Sequence, residues 1–389
     1  MRQPHNAYNT GLAQGILRIV GLWSKWKPRR IAVLLARYRI FQKANARRAG
    51  LYRADGLLVP PVLILSVTTR CNLSCVGCYS REYPAEGELG WEGIDRLLTE
   101  AEDLGVGFVV LTGGEPLLLP RLAELLARHR RLVFLLYTNG TRIDDRWART
   151  LAAMDNVLPL LSVEGSEVET DARRGVGTYG KVIKAMERLA QYDVFFGFSS
   201  MVTRRNYRLL GSDEFVDGMI ARGCRLGYFV GYVPCGAAAP TALVPTAEEQ
   251  QWFRRQVRRF QRAKRMLMIH MPDDEYEIAG GCMAAARGFV HINAQGWVEP
   301  CPFSHLATDT VRDLSLRKAL ASPLFSYIRG RSDLLAKPHM GCALYEHREE
   351  LMAAAAALGA RPTDVDVRAP GAAVDWTAEN VGERLLRDA

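Results

Sequence analysis

Three cysteines, Cys71, Cys75 and Cys78, stand in the run Thr68-Thr69-Arg70-Cys71-Asn72-Leu73-Ser74-Cys75-Val76-Gly77-Cys78, spaced C-x3-C-x2-C. Thiolates this closely spaced suit a [4Fe–4S] cube, which takes four ligands. Three leave one iron without a protein ligand. An open iron can bind a small molecule, so the cluster becomes a chemical centre rather than only an electron store. The alternatives fit less well. Zinc sites commonly use two separated C-x2-C pairs, and no Cys or His follows Cys78 within the next dozen residues. A disulfide would leave an odd thiol. Packing cysteines rarely sit in a polar loop beside Asn72 and Ser74.

Other chemistry-bearing residues follow. Thr112-Gly113-Gly114-Glu115-Pro116 offers a glycine pair through which backbone can approach a ligand closely. Thr138-Asn139-Gly140 is either a ligand-facing amide or a turn that needs Asn-Gly. A second trio, Cys282, Cys301 and Cys342, is scattered along the chain. With His305 it could make a zinc site, but it lacks compact finger spacing. Cys224 reads as a packing thiol. Asp273-Asp274-Glu275-Tyr276 could orient substrate or take a proton, although paired loop acids are more often solvated.

These residues need elements to hold them. Alternating apolar patterns predict strands at 62–67, 107–111, 133–137, 158–163, 195–202 and 226–233. Helices are expected between them at 91–104, 119–129, 144–154, 179–191 and 212–222. In the first of these, Trp91, Ile94, Leu97, Leu98, Ala101 and Leu104 form one face. Repeated βα units imply parallel strands with right-handed crossovers. Six units fit an α/β fold, a partial (β/α)6 TIM-like barrel. Such a barrel places its chemistry at the carboxyl ends of its strands, and the Cys71 loop, Gly113-Gly114 and Asn139 all fall there. Beyond it an Arg-dense amphipathic helix is expected at 246–265, then a loop-rich segment over 271–350, then a tail with one short helix at 377–387. The domains so read are a helical N-terminal extension (1–60), the barrel (61–240), a C-terminal cysteine-bearing domain (241–350) and the tail (351–389).

The cysteine spacing and the Gly-Gly-Glu-Pro turn resemble the radical S-adenosylmethionine (SAM) superfamily. The resemblance implies that Cys71, Cys75 and Cys78 bind a [4Fe–4S] cluster whose open iron chelates SAM. It implies that Gly113, Gly114 and Glu115 hold the methionine amino group. Ser162 (in Ser162-Val163-Glu164-Gly165) would reach SAM, Glu164 would lie near the ribose or the substrate, and Arg174, with Arg173 in reserve, would take the SAM carboxylate; Asn139, if it faces the ligand, suits the ribose or the ammonium. Arg suits that task because its fork meets a carboxylate with two bonds. Gly77 departs from the pattern, which has an aromatic residue there near the adenine. Tyr79 or backbone then supplies that contact. Gly281-Cys282, Gly296-Trp297-Val298-Glu299-Pro300-Cys301 and Gly341-Cys342 resemble the twitch or SPASM extension, which holds a second, auxiliary [4Fe–4S] cluster, but no cysteine follows Cys342. Either Cys235 completes four thiolates, or three bind and one iron stays open for substrate. The second is favoured, because Cys235 belongs to the barrel.

Composition bounds the rest. The chain has 389 residues, 48% of them hydrophobic and 24% charged, ordinary values for a globular protein. Eight cysteines are too few for a disulfide scaffold of this length and read as reduced thiols and metal ligands in the cytoplasm. No apolar run approaches the roughly 20 residues of a membrane span. Residues 1–60 hold twelve Lys and Arg against Asp55 alone, so the +9 net charge belongs to the extension. Two helices, 13–26 and 30–49, are expected there with Pro28 between them. They either pack on the barrel or lie on an acidic membrane surface through residues 1–50, with Trp23 and Trp26 at headgroup depth. No module for specific nucleic-acid binding is present. The expected function is reductive cleavage of SAM to a 5′-deoxyadenosyl radical and hydrogen abstraction from a small-molecule, natural-product or lipid substrate, driven by ferredoxin or flavodoxin. The other readings are a peptide-maturing enzyme of the same class and a non-catalytic iron–sulfur electron carrier.

Overall fold

A computed structural model of the chain describes residues 28–236, 239–338 and 341–364. The expected helices at 13–26 and 377–387, with Trp23 and Trp26, lie outside the described residues.

The strands form where alternation is clearest. In β1 (Val62–Ser66) Leu63 and Leu65 are fully buried on the helix side, while Val62 and Ile64 turn the other way. β2 (Phe108–Thr112), β3 (Val133–Thr138), β4 (Val157–Ser162), β5 (Gly197–Val202) and β6 (Leu226–Gly231) follow in parallel, each hydrogen-bonded to the one before. The helix α2 (Gly90–Leu104) buries Ile94, Leu97, Leu98, Ala101 and Leu104 against the sheet. Its end is set by Gly105 in the left-handed region, whose N–H returns to Ala101 and Glu102 carbonyls. The crossovers continue through α3 (Leu122–Arg128), α4 (Asp145–Ala152), α5 (Glu167–Arg174), α6 (Thr178–Gln191), α7 (Tyr207–Leu210) and α8 (Asp213–Ala221).

The partial barrel is therefore present, and it is larger than six units. After α9 (Ala247–Ala263), β7 (Leu267–Met271) adds in parallel to β6, and β8 (Phe289–Ile292) adds in parallel to the far side of β1. A short antiparallel β9 (Val298–Glu299) ends the sheet, in the order β7-β6-β5-β4-β3-β2-β1-β8-β9. The parallel sheet thus runs past residue 240 into the segment expected to be loop-rich. It is curled: Ile64 of β1, Tyr137 of β3, Tyr228 of β6, Met271 of β7 and Phe289 of β8 all face one cavity.

Of the basic extension, α1 (Pro28–Asp55) is one helix that starts on Pro28, where proline's missing N–H costs nothing. Phe41 is buried against Phe108, with ring centroids 5.7 Å apart, a burial worth roughly 2 kcal/mol. Arg37 pairs with Asp155 at 2.5 Å, and Arg47 and Arg48 donate to the carbonyls of Asp103 and Gly105. Over residues 37–55 the helix packs on the body and uses much of its charge there. No described helix is long and apolar enough to cross a membrane.

Candidate active site

The first cysteine loop leaves β1 and is fixed by backbone. Gly114 N donates to Thr68 O at 2.7 Å and Glu115 N to Arg70 O at 2.9 Å. This contact explains the glycine pair. Gly113 has φ +116°, and a Cβ on Gly114 would sit 2.1 Å from Arg70 O. The glycines admit the cysteine loop itself. Glu115 is fully buried, and its carboxylate accepts from Leu117 N (3.1 Å), Thr138 Oγ1 (2.7 Å) and Asn139 N (2.8 Å). It ties the end of β2 to the end of β3. Burial pushes its pKa up, although those three donors oppose the shift. Asn139 Nδ2 donates to Asn72 Oδ1 at 2.9 Å and lies 3.9 Å from Cys71 Sγ. Burial raises the Cys71 thiol to about 11. Two residues outside the sequence-derived set also fix the loop. Glu88 accepts from Thr69 N at 2.7 Å and from the Thr68 and Thr69 hydroxyls, and Thr141 accepts from Asn72 Nδ2 at 2.9 Å. No motif marks Glu88, since an acid between two turns has no local signature.

On the opposite wall Glu164 is buried between two arginines. Arg174 reaches its Oε1 through Nε (2.7 Å) and Nη2 (2.5 Å), Arg173 through Nη1 (2.5 Å), and Met201 N donates to Oε2 at 2.9 Å. Burial would raise the carboxyl, but the two guanidiniums outweigh it and hold the pKa below the ordinary value. Arg173 O also accepts from Val76 N inside the cysteine loop at 2.9 Å. Arg173 Nε is buried with no partner, and the guanidinium acts electrostatically on Cys75 and Cys78. Ser162, Arg173 and Arg174 all line the cavity.

Tyr79 lines it too, with its hydroxyl 3.1 Å from Thr112 Oγ1 and its ring edge-on to Phe303 and His291. At Gly77 the missing side chain leaves room for Tyr232, whose hydroxyl would lie 2.7 Å from a Cβ there. Behind Tyr79 runs a network that sequence reasoning did not find. Ser66 Oγ lies 2.9 Å from His291 Nε2, and His291 Nδ1 lies 2.6 Å from Glu299 Oε2, which also accepts from the Tyr83 hydroxyl at 2.8 Å. It joins β1 to the paired strands β8 and β9, more than two hundred residues later in sequence.

The second cysteine trio faces the same cavity. Cys282, Cys301 and Cys342 line it together with Cys71, Cys75 and Cys78 in a space of about 310 Å³. Cys282 and Cys301 are buried, and burial raises the Cys342 thiol to about 12. Glu275, from α10 (Asp273–Ala279), joins them, and burial raises its carboxyl to about 8. Asp273 instead pairs with Arg254 (3.2 Å) and Lys337 (3.2 Å), and Asp274 accepts from His270 N at 2.8 Å. Cys235 is buried and does not line the cavity. The His305 ring nitrogens face Pro302 O (3.1 Å) and Asp364 (3.4 Å). Among the described residues no three Cys, His, Asp or Glu side chains converge on a single-metal site, so the zinc reading gains no geometry. Cys224 sits in the hydrophobic core.

A curled parallel sheet with a three-cysteine loop after its first strand and a Gly-Gly-Glu turn after its second defines a class. The chain carries a radical SAM domain: residues 65–207 match the radical SAM superfamily. Among curated proteins it is 37% identical over 168 residues to the mycofactocin maturase MftC of Mycobacterium tuberculosis, covering 41% of this chain and 42% of that one. The match therefore spans well under half the length of that relative. It is 28% identical over 302 residues to the PqqA peptide cyclase of Granulibacter bethesdensis (73% of this chain, 80% of that one). It is 25% identical over 321 residues to the AdoMet-dependent heme synthase of Methanosarcina barkeri (75% and 89%). Among solved structures, Streptococcus suis SuiB bound to its precursor peptide SuiA shares the fold, with a TM-score of 0.63 at 19% identity, covering 75% of this chain and 71% of that one.

Proposed function

We propose that this chain is a radical SAM enzyme that modifies a precursor peptide. The observation that carries the reading is one cavity, at the carboxyl ends of the parallel strands, lined by both cysteine trios. The donor set fits the group. Three thiols on one backbone-stapled loop suit a [4Fe–4S] cluster with one open iron, and their protons leave on metal binding. When bound, the cluster and SAM supply one-electron cleavage of a C–S bond and a 5′-deoxyadenosyl radical. The chain's own residues bind and orient. Arg173, with Nε unpartnered, is better placed than Arg174 to take the SAM carboxylate. Three protein donors already occupy Glu115 and leave one acceptor site on Oε2, so the backbone of the Thr112–Gly114 turn supplies the other acceptors for the amino group. Ser162 and Tyr79 border the nucleoside space. Val110, Tyr228, Val230 and Phe289 exclude water from the radical. Cys282, Cys301 and Cys342 would hold an auxiliary cluster, which would supply an electron acceptor beside the substrate. Ferredoxin or flavodoxin supplies the reducing electron in the cytoplasm.

The peptide substrate rests on the relatives: the PqqA cyclase and SuiB are named for peptides. It replaces the small-molecule or lipid expectation as the first reading. The heme synthase relative, matched over most of its length, supports a small-molecule substrate as the second. The test has two stages. Anaerobically reconstituted protein given SAM and dithionite forms 5′-deoxyadenosine; none formed would sink the enzyme reading and favour an electron carrier. Short peptides encoded beside the gene are then incubated with the active protein. A mass change in one of them supports the peptide reading, and turnover of a tetrapyrrole in its place supports the second.

A further inference from the structure

The second cysteine trio presents three thiols to the cavity and no fourth. Cys235 does not line it. Glu275 does line it and is 4% exposed. Its position is fixed from both sides. Met283 N, one residue after Cys282, donates to Glu275 Oε2 at 3.1 Å. The next residue on α10, Tyr276, accepts at its hydroxyl from Ala343 N, one residue after Cys342, at 3.1 Å. The helix is thus stapled to two of the three cysteine segments. The nearby cation, Arg287, directs its guanidinium to the carbonyls of Cys282 and Ala279 rather than to the carboxylate. Glu275, Cys282 and Cys301, all buried, and Cys342, half-buried, thus line one cavity, and among the described residues no side-chain cation hydrogen-bonds to the carboxylate.

We propose that Glu275 is the fourth protein ligand, through Oε1, of an iron–sulfur cluster held by Cys282, Cys301 and Cys342. The assignment rests on the reading that this trio binds a cluster. On loading, three S–H bonds and one O–H bond break, three Fe–S bonds and one Fe–O bond form, and four protons leave to solvent. A carboxylate is a harder ligand than a thiolate and suits iron less. The iron it holds is the exchangeable corner, where a donor atom of the substrate displaces Glu275.

The test uses the full chain with Cys71, Cys75 and Cys78 all changed to Ala, so that only the second cluster forms. After anaerobic reconstitution this background retains about four irons. Adding Glu275→Gln drops the content to about three and produces the electron paramagnetic resonance signal of an oxidised three-iron cluster. Adding Glu275→Cys keeps all the irons and lowers the reduction potential, because thiolate donates more charge. If Glu275→Gln does not fold, judged by circular dichroism, the Glu275→Cys potential decides alone. Iron content, signal and potential unchanged by either substitution overturn the assignment, as does loss of the fourth iron on Cys235→Ala instead. A background without iron overturns both this assignment and the auxiliary-cluster reading beneath it.

Discussion

The two cysteine trios face one cavity but are built in opposite ways. Cys71, Cys75 and Cys78 are neighbours on one loop, with Cys71 exposed, and the loop is gripped by main-chain bonds to Gly114 and Glu115. Cys282 and Cys301 are buried and come with Cys342 from separate segments; α10 ties the Cys282 and Cys342 segments through Glu275 and Tyr276, and Ala285 N donates to Pro300 O at 3.0 Å to join the Cys282 and Cys301 segments. The first site is local and stands on backbone. The second is a product of packing, and side-chain tethers join main-chain bonds between distant segments in holding it. A local site tolerates changes in the side chains around it but not a shift of its loop. A packed site is sensitive to the loss of any one tether.

The contrast can be broken experimentally. Its largest expected effect is on SAM cleavage. Replacing Cys71, Cys75 and Cys78 with Ala takes 5′-deoxyadenosine below detection, whereas Cys301→Ala leaves its formation measurable, as chromatography of the reaction would show. If both abolish it equally, the two sites are not separable. Next is Glu164→Gln, which leaves two half-buried arginines short of their buried charge partner and costs about 3 kcal/mol in denaturant unfolding. The sign with pH follows from its depressed pKa. The stabilisation is complete above the ordinary carboxylate value near 4.5 and is lost as pH falls through the lower folded value. The gap between wild type and variant therefore closes in acid; a gap that widens there would refute the ion-pair account.

Gly114→Ala sharpens the backbone argument. Its Cβ would overlap Arg70 O, so the cysteine loop must move, at about 2–3 kcal/mol and with a reduced yield of reconstituted cluster. Glu115→Gln replaces an acceptor of three buried donors and costs about 1–3 kcal/mol by thermal unfolding. The smallest effect is expected at the second site. Tyr276→Phe removes the acceptor for Ala343 N, costs about 1 kcal/mol, and lowers iron retention in the protein lacking the first trio.

Much of the sheet was legible, because β1 to β6 carry strong alternation and each is followed by an amphipathic helix. β7 and β8 were not. Leu267–Met271 and Phe289–Ile292 are short, each contains a histidine, and each lies in a segment without repeated βα spacing. β8 finds its place only by pairing with β1, more than two hundred residues earlier, and no local pattern encodes such a partner. In the site, type and spacing singled out Cys71, Gly113, Gly114 and Asn139, and the structure adds contacts that spacing does not encode. The glycines and Glu115 hold the cysteine loop, and Arg173 Nε is buried without a partner.

The sequence by itself determined the first trio, the parallel βα order and the placing of chemistry at strand ends. Each of these depends on residues close along the chain. Tertiary structure alone decided that Cys282, Cys301 and Cys342 share a cavity with that trio, that Glu275 stands beside them while Asp273 and Asp274 turn to other partners, and that Ser66, His291 and Glu299 meet. Those contacts join segments whose separation only the curl of the sheet removes.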